Sequence, residues 1–223
     1  MKARPLDIPL ADAGRVSGLL NAPPGPRAAC VLAHGAGAGM MHPFMAAAAE
    51  GLAERGIATL RFQFPAMERG SKRVDSPAVA QAAVRAAVAA AAQALPGIAL
   101  FAGGKSFGGR MTSQAQADVP LAGVRGLAFL GFPLHPAGRP SAGRAAHLER
   151  IAIPLLFLQG SRDALASLAL LEPIVAKLGR RATLAVFEEA DHSFHVPART
   201  GRKDSEVLGQ VLDTLAAWIE ASR

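Results

Sequence analysis

The sequence predicts an α/β fold, a mostly parallel central sheet with helices on both faces, built as one domain spanning residues 1–223. Three observations predict it. Short apolar runs alternate with helical stretches along the chain. The runs read as strands buried on both faces, not as strands with one wet side. A length of 223 residues, 51 % hydrophobic and 18 % charged, supplies one sizeable core and lacks the composition of a disordered chain. No repeat and no linker breaks the pattern.

Taken in order, Arg4 to Leu10 and Val16 to Leu20 read as two strands of an antiparallel edge. Ala29 to Ala33 is a buried strand ending at His34. A helix starts near Pro43 and stops at Gly56, with proline in its first turn and glycine past its end, the usual punctuation. Ile57 to Phe62 is the next strand. Ser76-Pro77 opens an alanine-rich helix that ends at Pro96-Gly97, and Ile98 to Ala102 follows as a strand. Gly126 to Phe132, Leu155 to Leu158 and Thr183 to Phe187 continue the series. A final amphipathic helix carries Leu208, Val211, Leu212, Leu215, Trp218 and Ile219 at helical spacing.

Composition narrows the function classes. No apolar run reaches the ~18 uncharged residues of a membrane span. Met1 to Leu10 holds Asp7 and two prolines and no apolar h-region, so no secretory signal is expected. The single cysteine, Cys30, sits in an apolar run and reads as an inert buried thiol; a reducing, cytoplasmic setting is the expectation. The net charge of +7 raises the question of nucleic acid or an acidic partner. The densest basic pieces, Arg69 to Arg73 and Arg199 to Lys203, contain no aromatic residue on which a base could stack, so nucleic acid is not favoured.

In sheets of this kind, chemistry gathers just past the carboxyl ends of the strands. After Ile98 to Ala102 comes Gly104-Lys105-Ser106-Phe107-Gly108, a G-x-S-x-G nucleophile elbow. A strand turning sharply into a helix exposes the serine Oγ, and flanking glycines remove side chains that would collide there. Two nucleotide motifs overlap the glycine-rich pieces and fail. A P-loop ending at Gly104-Lys105-Ser106 would need glycine where Ala99 stands, and a dinucleotide fingerprint begun at Gly35 or at Gly37 meets Met40 or His42.

A serine at an elbow needs a base and an acid, in the chain order serine, acid, histidine. His192, in Ala190-Asp191-His192-Ser193-Phe194, lies between the strand Thr183 to Phe187 and the last helix, and is the expected base. His195 is the competing choice, read as packed or solvated. Asp163 follows Leu155 to Gly160 and can orient the histidine through its Nδ1–H. Its competing role is the N-cap of a helix running from Ala164 to Lys177. Asp191 adjoins His192, but neighbouring side chains in an extended loop point apart. The oxyanion would be held by the N–H groups of Phe107 and Ala36, with Gly37 as second choice for the latter. His34 reads as a structural residue bonding that loop.

These residues together resemble the α/β-hydrolase superfamily, from Ala29 to the final helix. His34-Gly35 is similar to its oxyanion turn, Gly104 to Gly108 to its elbow, Gly160 to Asp163 to its acid loop, and Asp191 to Phe194 to its histidine loop. Arg61 to Pro65, Gly103 to Arg110 and Gly131 to Pro136 resemble a small dienelactone-hydrolase-like group. That group includes bacterial proteins of ill-defined substrate and animal relatives found in a chromatin-modifying complex. The resemblance implies a lidless, esterase-like serine hydrolase acting on a small-molecule ester, thioester or lactone through an acyl-enzyme, with no metal or organic cofactor. True dienelactone hydrolases carry a cysteine where Ser106 stands, so dienelactone activity is not implied. The animal relatives supply the alternative, a catalytically quiet interaction module whose basic loops would favour acidic partners.

Lids in this superfamily commonly lie in the stretch that here is only Pro133 to Pro154, which has room for one short helix around Arg144 to Arg150. The sequence therefore predicts a pocket shaped by the loops Ala36 to His42, Pro65 to Ser76 and Pro133 to Arg139. Gly37, Met67, Phe132 and Leu134 are its expected lining together with Phe107, and small or narrow acyl groups its expected substrates.

Overall fold

In the computed structural model, which describes residues 3–11, 14–71 and 73–223, eight strands form one sheet. They are β1 (Arg4–Pro9), β2 (Arg15–Asn21), β3 (Ala28–Ala33), β4 (Ile57–Phe62), β5 (Leu100–Lys105), β6 (Val124–Leu130), β7 (Leu155–Gly160) and β8 (Ala182–Phe187). Their order is β1-β2-β4-β3-β5-β6-β7-β8. The first two pair antiparallel with each other, and β2 with β4, so the expected antiparallel edge is present. All later pairings are parallel. Lys72, in one of the basic stretches, lies outside the described residues.

The period of two in each strand sorts side chains to two cores. Ala29, Val31, Leu127, Phe129, Leu155 and Phe157 face one side. That side is covered by α3 (Pro77–Ala94), α4 (Phe107–Asp118) and α5 (Leu168–Leu178), with α2 (Pro65–Glu68) a short turn beside them and α1 (Pro43–Glu54) and α6 (Asp204–Ala221) on the other face. Cys30, Leu32, Phe101, Leu130 and Leu158 point to α1 and α6. The alternation is why runs that look uniformly apolar form central strands, each full burial of a large side chain stabilising by ~1.5–3 kcal/mol. The Cys30 thiol is fully buried, and burial pushes it up to about 12.

Three boundaries differ from the sequence reading. β5 runs on through Gly103, Gly104 and Lys105, because its neighbours crowd it and only glycine fits between them. β6 starts earlier and stops at Leu130, where Gly131 turns with φ 72°. α5 begins only at Leu168, so Asp163 is not its N-cap. Between β6 and β7 the chain makes a single 3₁₀ helix, Gly143–Arg150, and no lid domain is built. Among the described residues, no helix is long and apolar enough to cross a membrane.

The chain leaves β3 toward β4 on one side and later returns to place β5 on the other. This reversal opens a crevice beyond the carboxyl ends of β3 and β5, where ligands of open α/β sheets bind.

Candidate active site

Ser106 stands at that crevice, between the end of β5 and the first turn of α4. Its backbone has φ 51° and ψ −117°, a conformation that costs a non-glycine residue ~1–3 kcal/mol. The flanking glycines permit it: a Cβ on Gly104 or on Gly108 would stand 2.2 or 2.3 Å from the Ala33 carbonyl oxygen of β3. The strain lifts Oγ off the sheet toward the loop after β8.

That loop delivers His192. Its Nε2 lies 2.8 Å from Ser106 Oγ and its Nδ1 2.6 Å from Asp163 Oδ2. Asp163 arrives from the end of β7 with a fully buried side chain, whereas His192 is 21 % exposed, enough to meet a substrate. The carboxylate is held on both oxygens. Oδ1 accepts the Leu165 N–H at 2.7 Å, and Oδ2 also accepts Gln159 Nε2–H. Gln159 is fixed in turn by the Phe132 N–H, 2.9 Å from its Oε1. An acceptor on the Nδ1 side places the imidazole proton on Nδ1 and leaves Nε2 free to accept from the serine.

Asp191 does a different job. Its Oδ1 accepts the N–H groups of Ser193 at 2.7 Å and His195 at 3.0 Å, which folds the loop tightly enough to put Phe194 at φ 63°. His195 points away to Asp204, 2.9 Å from its carboxylate. This contact raises the proton affinity of the imidazole and lowers that of the carboxyl.

The other side of the crevice is the loop after β3, held by His34. Phe64 points its N–H at His34 Nε2 at 3.1 Å, and Nδ1 lies 2.8 Å from the Gly35 carbonyl oxygen and 3.2 Å from the Gly39 N–H. Burial lowers the proton affinity of this ring. The loop it shapes brings Gly35 against the elbow: a Cβ on Gly35 would stand 3.8 Å from Ser106 Cβ. Ala36 borders the crevice, and Phe107 follows the serine as the first residue of α4.

A cleft of about 630 Å³ opens beside Ser106 and His192, within the range of small-molecule sites. Its walls are mostly apolar, formed by Phe44 and Met45 of α1, Leu165, Phe194 of the histidine loop and Leu208 of α6, with Asp204 and Ser205 at the rim. This corrects the lining read from the sequence. Phe132 and Leu134 are fully buried in the core on the other side, Phe132 against Phe129 and Phe157, because the turn at Gly131 reverses the direction of the run. Gly37, Met67 and Phe107 border a separate crevice of about 10 Å³, room for about one water. Leu208, read as one more position of a core stripe, faces the cleft; Phe44 and Phe194 carried no signal beyond adjacency to a loop.

A family model described as an alpha/beta hydrolase domain matches residues 26–220. Among solved structures, the chain is similar to a dienelactone hydrolase from Anabaena variabilis. The TM-score is 0.80 at 20 % identity over 99 % of this chain and 98 % of that one. It is similar also to XC6422 from Xanthomonas campestris, described as a serine hydrolase without lid, with TM-score 0.73 and 20 % identity over 98 % and 95 % of the two chains. An esterase domain from a Rhodothermus marinus protein gives 0.74 at 17 % identity, covering 98 % of each. At such identities these likenesses speak for the fold.

Proposed function

We propose that this chain, which belongs to the alpha/beta hydrolase family, is a serine hydrolase cleaving a small carboxylic ester, thioester or lactone through an acyl-enzyme. The observation that carries the reading is the unbroken chain Ser106 Oγ, His192 Nε2, His192 Nδ1, Asp163 Oδ2 on a strained elbow. The Ser106 hydroxyl gives its proton to His192 Nε2 as Oγ bonds to the substrate carbonyl carbon. The resulting imidazolium is stabilised by Asp163. The negative charge on the former carbonyl oxygen is taken by the N–H groups of Phe107 and Ala36, aided by the N-terminus of α4. His192 returns the proton to the leaving oxygen or sulfur as its bond to carbon breaks. A water repeats the sequence on the acyl-enzyme, regenerating Ser106 and releasing the acid.

The apolar part of the substrate lies in the cleft between α1 and α6. The test is reaction of the native protein with a fluorophosphonate, followed by mapping of the adduct, alongside hydrolysis of a panel of esters and thioesters. An adduct on Ser106 and a loss of ~10³–10⁶ in kcat for Ser106→Ala are expected. Hydrolysis by that variant within tenfold of the unaltered protein would sink the assignment.

A further inference from the structure

The residue before the nucleophile, Lys105, ends β5 with its side chain folded back beneath the histidine loop. Its Nζ donates to the His192 carbonyl oxygen. The ammonium also lies 5.8 Å from the ring centre of Phe44 and 5.5 Å from that of Phe194, two rings stacked within 9° of parallel. One ammonium thus joins the nucleophile strand, the histidine loop and α1. The space is shared closely with the base. A Cβ on Gly131 would meet Lys105 Nζ at 2.9 Å and His192 Nδ1 and Cε1 at 3.3 Å, so only glycine leaves room for both. The charged and titratable groups facing the ammonium are Asp163 after β7, Asp191 in the histidine loop, and His192 itself; α1 offers Phe44 and the end of β6 offers Gly131.

We propose that Lys105 is a positioning residue of this site: its ammonium clamps the histidine loop through the His192 carbonyl and so holds the imidazole between Asp163 and Ser106. The inference rests on the serine-hydrolase reading. The same ammonium fixes the loop without occupying either imidazole nitrogen. Burial pulls Lys105 down to about 8, against the opposing pull of Asp163 and Asp191, so the clamp weakens in mildly alkaline solution.

The experiment follows kcat, KM and the rate of fluorophosphonate labelling at Ser106 from about pH 5 to about pH 10 in the unaltered protein, Lys105→Gln and Lys105→Arg. Glutamine keeps a donor and removes the charge; arginine keeps the charge and does not lose its proton. In Lys105→Gln, kcat and the labelling rate at neutral pH fall roughly tenfold with KM little changed. In Lys105→Arg the plateau extends to higher pH than that of the unaltered protein. A folded Lys105→Gln with kcat and labelling rate unchanged overturns the inference. If that variant does not fold, the arginine variant decides, and a basic limb coincident with the unaltered protein's overturns it. No labelling of Ser106 in the unaltered protein sinks the hydrolase reading and this one together, whereas labelling at an unchanged rate in Lys105→Gln sinks this one alone.

Discussion

Replacing Asp163 by Asn removes one charge and turns one acceptor into a donor, and the bonds around it fix the consequence. Oδ2 serves His192 Nδ1 and Gln159 Nε2, and Oδ1 serves the Leu165 N–H. An asparagine has one oxygen for these two positions. With its oxygen at the Oδ2 position, the productive tautomer survives, but the new amide N–H faces the Leu165 N–H. With its oxygen toward Leu165, the amide N–H faces Gln159, which cannot turn over without abandoning the Phe132 N–H, and His192 must present Nδ1 as an acceptor. The proton then sits on Nε2, and Ser106 loses its base. Each orientation buries one donor–donor conflict, a penalty of ~1–3 kcal/mol, so neither is free to dominate. The expected loss in kcat therefore lies between ~10² for the productive tautomer without its carboxylate and ~10⁴ for the other. Steady-state hydrolysis of p-nitrophenyl acetate measures it, with urea unfolding to report the lost stability. Asp191→Asn is the control: its carboxylate folds the loop and touches neither imidazole nitrogen, so its cost is smaller. A larger loss for Asp191→Asn than for Asp163→Asn would refute the reasoning.

Two further outcomes are expected. In a series of p-nitrophenyl esters from acetate to palmitate, kcat/KM should rise while added methylenes find the walls of the cleft, each worth at most ~0.8 kcal/mol, and fall once they leave it. Leu208→Trp should move the optimum to shorter chains, and a steady climb to palmitate, or a jump above the micelle concentration, would contradict a lidless cleft of this size. Burial, and then Arg110 and Arg150, hold the His147 imidazole down at about 4, with its Nε2 2.7 Å from Ser113 Oγ. The unfolded chain takes up this proton near its ordinary value of about 6.5 and the folded chain does not, so stability falls as pH is lowered through that window. The Tm should drop on acidification in the unaltered protein and less in His147→Gln; parallel slopes would show that His147 is not the source.

The juxtaposition of Ser106, His192 and Asp163 was legible in the sequence because each stands just past an apolar run, and parallel strands must bring their carboxyl ends to one edge. Asp163 was preferred to Asp191 from its chain order, its place past the preceding strand and the way neighbouring side chains point apart, and it is Asp163 that lies 2.6 Å from His192 Nδ1. The cleft was not legible. Its walls depend on where α6 docks beside α1, a tertiary fact that places Leu208 opposite Phe44 although more than 160 residues separate them. Phe132 and Leu134 stand beside a loop expected to shape the pocket, but the turn at Gly131 carries both into the core. The end of β5 was obscured by Gly103 and Gly104, residues that usually end strands and here are required inside one.

The division of labour between the two kinds of element has a consequence for how such a protein can change. Ser106, Asp163 and His192 hang from the ends of β5, β7 and β8. Most of the apolar wall of the cleft comes from surface-facing turns of α1 and α6, stacked on one face of the sheet. Phe44 and Leu208 are only partly buried and sit in neither hydrogen-bonded chain of the site. Under the proposed function, substitutions at Leu208 would alter which molecules are accepted while leaving Ser106, His192 and Asp163 undisturbed, whereas Phe44, stacked on Phe194 and under the Lys105 ammonium, is less free to change.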